Sequence, residues 1–343
     1  MSGRPDVAVV GAGVIGLSVA WRAAQAGMSV ALYEREAEAG RGASQAAGGM
    51  LAPVAEADAQ EPELLALGQA GAAAWPAFAR ELEAASGAEV GYRECGTLLV
   101  ARDPDELSWA ERERGLRERL GLGVELLLGS QARTEEPGLT PRLRGAVALR
   151  DDHAVDPRAV VQALTGACRA AGVELRFGCR VDDLAALDAR FVVNARGPWS
   201  GEPVRPVKGQ ALMLRDPNGP GLVDRVLRWA VPTPGYLVPR GDGRYFLGAT
   251  AEEKGFDAAS TVVAVHDLLR DAAEIVPGVL ELEIEELVVG FRPGTPGNVP
   301  IVATDERDPR VVWATGHYRG GILMAPVAAE RAVALLTGSE VGA

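Results

Sequence analysis

A parallel α/β sheet flanked by helices, with a second, mainly antiparallel sheet interleaved into it, is predicted by three features of the sequence. The chain opens on an apolar run, a glycine-rich turn and a helix-forming stretch; α/β texture returns from Asp156; and the stretch between Lys208 and Pro293 is rich in strands. A β–α–β opening makes its two strands parallel neighbours through a right-handed crossover. Short strands separated by Gly and Pro turns build antiparallel sheets instead.

The elements follow in order. Val7 to Val10 is continuously apolar, as a strand covered on both faces must be. Val14 to Ala26 forms a helix, closed by Gly27, and Ser29 to Tyr33 forms the second strand. Helices are expected over Pro62 to Ser86 and Pro104 to Leu120. The second carries charge on most faces and reads as a solvated helix without a functional role. Asp156 and Pro157 open another helix, with strands in Val173 to Val181 and Ala189 to Gly197. Strands then fall in Lys208–Asp216, Gly235–Arg240, Arg244–Thr250 and Glu281–Gly294, interrupted by a helix from Thr261 to Ile275. A strand in Arg310–Gly316 and a helix opening from His317 finish the chain. The pattern predicts two interleaved domains: a Rossmann-like domain over 1–85, 140–205 and 295–343, and a substrate-binding domain over 86–139 and 206–294.

The 343 residues, 48% hydrophobic and 24% charged, describe an ordinary globular protein. A net charge of -12 argues against nucleic acid or an acidic membrane surface as a partner, because both require a basic face. Cys95, Cys168 and Cys179 are sparse and odd in number, which suits reduced, buried thiols. His153, His266 and His317 stand apart from one another and from the cysteines, so no metal site is expected. No apolar run approaches membrane-spanning length, and a cytoplasmic location is expected.

Gly11-Ala-Gly13-Val14-Ile15-Gly16 is a GxGxxG between strand and helix. Gly11 permits the tight turn, Gly13 lets backbone approach a pyrophosphate, and Gly16 allows close helix–strand packing. The helix start offers free N–H groups and a partial positive charge to phosphates. Glu34, ending the second strand, is placed to accept hydrogen bonds from a ribose diol. The fingerprint does not choose between NAD and FAD. The small-residue stretch Gly40 to Pro53, "GRGASQAAGGMLAP", would let backbone lie along an extended cofactor.

Four motifs in order, "GRGASQAAGGMLAP", "RPVKGQ" at Arg205–Gln210, "GFRPGTPGNVPIV" from Gly290 and "GHYRGGILMAP" from Gly316, resemble the glycine oxidase (ThiO-type) branch of the FAD-dependent D-amino-acid oxidase family. The resemblance spans the whole chain and implies non-covalently bound FAD. It places Glu34 and Arg35 at the adenosine, Ala43, Ser44, Gly48, Gly49 and Met50 along the flavin, and Val181 near the adenine. Ala195, Gly197 and Trp199 are cofactor contacts on the same reading. His317, Tyr318, Arg319, Gly320, Gly321, Ile322 and Leu323 form the segment closing over the isoalloxazine ring.

The same resemblance makes Arg292 the carboxylate-binding residue, with Tyr236 and Arg319 beside the substrate. A planar guanidinium is the fitted partner of a carboxylate. The implied reaction is oxidative deamination of glycine or another small amino acid or amine by hydride transfer to flavin N5. Imino acid forms, then oxo acid and ammonia; O2 is the acceptor and yields hydrogen peroxide. Sarcosine or D-amino acids as substrates, and a dehydrogenase with another electron acceptor, are the alternatives. A role in thiamine biosynthesis and a tetrameric homo-oligomer are further implications. Gly320, Pro234 and Ala251 stand where relatives commonly carry Asn, His and Met, which shrinks the side chains around the inferred site.

Overall fold

A computed structural model describes residues 4–230 and 233–339. The outer ends of the ranges 1–85 and 295–343 therefore lie outside the described residues. A six-stranded sheet runs in the order Ile301–Thr304, Val311–Thr315, Phe191–Asn194, Val7–Val10, Val30–Tyr33, Glu174–Arg176. All neighbours are parallel except the edge pair formed by Ile301–Thr304 and Val311–Thr315. Val7–Val10 is fully buried at its centre, with the helix Val14–Gln25 beside it. Gly27, just past that helix, adopts a left-handed φ of 83°, a conformation in which a glycine avoids the Cβ penalty.

Trp21, Trp75 and Phe78 pack edge to face between helices Val14–Gln25 and Pro62–Ser86, with centroids 5.6 and 5.3 Å apart. Each such pair is worth roughly 0.5–1.5 kcal/mol beyond the area it buries. Helix Pro157–Ala170 covers the same core, with Asp156 capping it by accepting from the Arg158 and Ala159 amides.

The second sheet has eight strands: Glu283–Gly294, Arg205–Arg215, Arg244–Gly248, Gly235–Pro239, Val226–Trp229, Thr97–Ala101, Gly145–Leu149 and Glu125–Leu128. Val226–Trp229 and Thr97–Ala101 are parallel, while the other neighbouring strands are antiparallel. Helix Val262–Ile275 backs it, with Leu268, Ala272 and Ile275 in the shared core.

Several expectations need correction. The Gly145–Leu149 strand pairs within the eight-stranded sheet, so a boundary at 140 falls too early. Its small, wholly buried residues show no alternation that would mark a half-exposed strand. Helix Pro104–Arg119 is not simply solvated: Glu106 and Arg117 are buried. Glu174–Arg176 is the only strand within Val173–Val181, and Gly178 and Cys179 then bond the backbone of Glu36 and Glu34. Cys179 is exposed rather than buried. The last helix begins at Ala325; Tyr318–Gly320 is a separate 3-10 turn.

Candidate active site

A cavity of about 530 Å³ opens between the two sheets. One end is the glycine turn. Gly11 has a φ of 107°, and a Cβ there would sit 2.4 Å from the Ala195 carbonyl oxygen. Gly13 caps the following helix without a side-chain partner, and the Val14 amide donates to Ser44 Oγ at 3.0 Å. Gly11, Gly13, Val14 and Ile15 line the cavity, but Gly16 does not. A Cβ on Gly16 would lie 1.9 Å from the Gly11 carbonyl oxygen, so its contribution is packing the helix onto the turn.

Glu34 and Arg35 line the same end. Glu34 is not a free carboxylate. Oε2 accepts from the Ala12 amide at 2.7 Å and Oε1 from the Glu36 amide at 3.0 Å, which braces the glycine turn and leaves each oxygen a further lone pair. The Arg35 guanidinium lies 3.7 Å over the Trp199 ring, which also stacks on Phe256 at 5.2 Å and meets Phe291 edge-on at 6.5 Å. Val181, Ala195 and Gly197 complete this end, with exposed Cys179 beside them.

Ala43, Ser44, Gly48, Gly49 and Met50 form one long wall. Behind it, buried Arg240 donates from Nη1 to the Gly48 and Val155 carbonyls at 2.9 and 2.8 Å. Burial holds its pKa down to about 10, still far above neutrality. A Cβ on Gly48 would meet the Tyr236 ring at 2.7 Å, so that glycine lets the tyrosine close against the wall.

The opposite wall is His317 to Leu323, all of whose residues line the cavity. Trp75 Nε1 donates to the Ile322 and Leu323 carbonyls at 3.1 and 2.9 Å, fixing this segment from the helix Pro62–Ser86. Tyr318 adopts a φ of 45°. His317 is buried, its Nε2 has no hydrogen-bond partner, and desolvation pushes its pKa down to about 4, so the ring is neutral. A buried polar atom without a partner is rare and costly.

Tyr236, Arg292 and Arg319 meet at the far end, joined by the small residues Pro234, Ala251 and Gly320. Arg292 Nη1 donates to the Thr250 carbonyl at 3.0 Å. Gly209 lies beneath the guanidinium; a Cβ there would come within 2.5 Å of it. Two residues without any sequence motif share this end. Glu56 lies 2.7 Å from Arg228 Nη1 and 3.3 Å from Arg319 Nε. Burial works to raise the Glu56 pKa, but Arg228, Arg319 and Arg292 outweigh it and hold the carboxyl below its ordinary value. The only sequence signal was an acid shortly after the small-residue stretch.

A family model described as FAD dependent oxidoreductase matches residues 6–335. The chain belongs to that FAD-dependent oxidoreductase family. It is 34% identical to a bifunctional protein ThiO/ThiG from Synechocystis, over 96% of this chain and 51% of that protein. The chain thus spans about half the length of those bifunctional relatives. It is 30% identical to a glycine oxidase from Bacillus licheniformis, covering 99% of this chain and 95% of the other. The crystal structure of glycine oxidase from Geobacillus kaustophilus superposes with a TM-score of 0.92 at 30% identity, covering 99% and 96% of the two chains.

FAD is the family's cofactor, and the cavity fits it on its own evidence. The glycine-capped start of helix Val14–Gln25 faces one end, small residues line the long wall, and the buried Nε2 of His317 on the other has no hydrogen-bond partner in the protein. Among the described residues no group of His, Cys, Asp and Glu could hold a metal, and no helix is long and apolar enough to cross a membrane.

Proposed function

We propose that the protein oxidises glycine, or a comparably small amino acid or amine bearing a carboxylate, to the imino acid. Arg292 carries the reading. Its planar guanidinium opens into a cavity that otherwise suits a flavin, on a strand that fixes it and above a glycine that leaves it room. The substrate carboxylate docks on this fork, and the Tyr236 ring bounds the substrate against Gly48. Neutral His317 and the Tyr318–Leu323 segment cover the reacting end and exclude bulk water. Bound FAD would supply the acceptor for the substrate Cα hydride and the route by which its electrons reach O2 to give hydrogen peroxide. Water then converts the imino acid to oxo acid and ammonia.

Small side chains at Pro234, Ala251 and Gly320 favour a second reading, in which sarcosine or a small D-amino acid is also accepted. A homo-oligomer and a cytoplasmic location belong to the same proposal, as does a role in thiamine biosynthesis, which is supported by 35% identity to a putative thiamine biosynthesis oxidoreductase ThiO from Rhizobium etli. The test is peroxide formation with glycine, sarcosine, D-alanine and D-proline. Aerobic turnover of at least one supports the reading. A flavin that these amines reduce but air does not reoxidise would point to a dehydrogenase, and a flavin that none of them reduces would refute amino-acid oxidation.

A further inference from the structure

The carboxylate end of the cavity contains three guanidiniums, from Arg228, Arg292 and Arg319, and the carboxylate of Glu56 set between two of them; Glu61, which also lines the cavity, accepts from the Asn298 side-chain amide at 3.2 Å. Glu56 Oε1 faces Arg228 and Oε2 faces Arg319, so each oxygen engages one arginine. Arg292 is turned to the Thr250 carbonyl and has no ion-pair partner among the described residues. A docking substrate therefore meets one uncommitted fork and one pre-occupied arginine pair.

The backbone that presents Glu56 is clamped from two sides. Buried Asp152 accepts from the Val54 and Ala55 amides at 2.9 and 3.0 Å. Buried Arg117 donates from Nε to the Val54 carbonyl at 2.8 Å and from Nη2 to the Ala55 carbonyl at 2.9 Å. Two buried charged side chains thus hydrogen-bond all four polar groups of two successive residues. Neither reaches the cavity itself. Burying charge is costly unless it is compensated, and here the compensation lies in the turn that positions Glu56.

We propose that Glu56 is a specificity-determining residue. It occupies a second carboxylate subsite between Arg228 and Arg319, and so restricts the enzyme to amines bearing a single acid group. A second carboxylate on the substrate would have to approach Glu56 itself, and like charges in a partly desolvated cavity repel strongly. Asp152 and Arg117 are positioning residues for this internal carboxylate. The inference deepens the proposed function and rests on it for the substrate class.

The test is carried out on the flavin-loaded enzyme with two readouts. Turnover compares glycine with D-aspartate and N-(carboxymethyl)glycine; perturbation of the flavin spectrum gives Kd for unreactive acetate against malonate and succinate. Wild type should favour the monoacids at least tenfold in both. Glu56→Gln should raise the diacid-to-monoacid ratio at least tenfold. Arg117→Met, which releases only the turn, should raise it less. A wild-type enzyme that binds diacids as tightly as monoacids overturns the proposal without any variant. So does a Glu56→Gln enzyme whose ratio is unchanged because both classes weaken together. Should no amino acid be oxidised at all, the proposed function fails, while the acetate and malonate titrations still decide whether Glu56 blocks a second acid.

Discussion

Truncating Arg292 to Ala separates substrate binding from cofactor binding. The residue lies on the strand Glu283–Gly294, across the cavity from the glycine turn, and makes its hydrogen bond to the Thr250 carbonyl rather than to the dinucleotide end. Flavin content should therefore stay at the wild-type level. Removing one member of a buried, hydrogen-bonded charge pair costs about 3–5 kcal/mol, chiefly by leaving the other charge unpaired. At about 1.4 kcal/mol per factor of ten, kcat/KM for glycine should fall by roughly two to three and a half orders of magnitude. Arg292→Lys keeps the charge without the planar fork and should fall between the two. The assay is peroxide release against glycine concentration, with flavin absorbance recorded on the same samples. A kcat/KM within threefold of wild type at full flavin occupancy would show that Arg292 does not hold the carboxylate.

Four further outcomes are expected. Gly13→Val should give colourless protein because its branches would crowd Ser44 and the helix start; normal flavin content would remove the pyrophosphate from that position. Arg240→Met leaves the Gly48 and Val155 carbonyls without their buried donor and should lower unfolding free energy by about 2–5 kcal/mol, read by denaturant titration. His317 has a folded pKa depressed to about 4, so its contribution to stability is present above the unfolded value near 6.5 and is lost as pH falls through 4. That loss amounts to about 3 kcal/mol. Asp152, raised to about 7 by burial against its two backbone hydrogen bonds, acts in the opposite sense: its contribution is full below pH 3.8 and lost as pH rises through 7. His317→Gln should flatten the acid limb of stability against pH and Asp152→Asn the neutral limb; identical curves for wild type and His317→Gln would show that the imidazole is not held neutral.

The dinucleotide half of the site was legible because its chemistry is written locally. Gly11, Gly13, Gly16 and Glu34 sit at fixed spacings within one β–α–β unit, where Gly11 supplies the left-handed turn and Gly13 and Gly16 leave room for close approach. That Arg292 and Tyr236 line the same cavity was foreseen only through a resemblance, since a lone arginine or tyrosine carries no local signature. Glu56, Arg228, Asp152 and Arg117 form a network that joins positions up to 172 residues apart in sequence, and no periodicity or spacing reports such a contact. The charge-rich text around Arg117 even pointed the wrong way. Its helix is polar on most faces, yet one guanidinium turns inward to bond the turn after the flavin-side wall.

The order of strands in the six-stranded sheet has a consequence for synthesis. Val311–Thr315 stands between Phe191–Asn194 and Ile301–Thr304, and the Ile322 and Leu323 carbonyls that Trp75 anchors come later still. The opening β–α–β unit, which ends at Tyr33, therefore emerges from the ribosome well before the strands from Ile301 onward that complete its sheet and the segment that completes one wall of its pocket. A nascent chain of which Phe191–Asn194 has emerged but Val311–Thr315 has not exposes the free edge of that strand and an uncovered aromatic cluster around Trp75, both of which invite chaperone binding or aggregation.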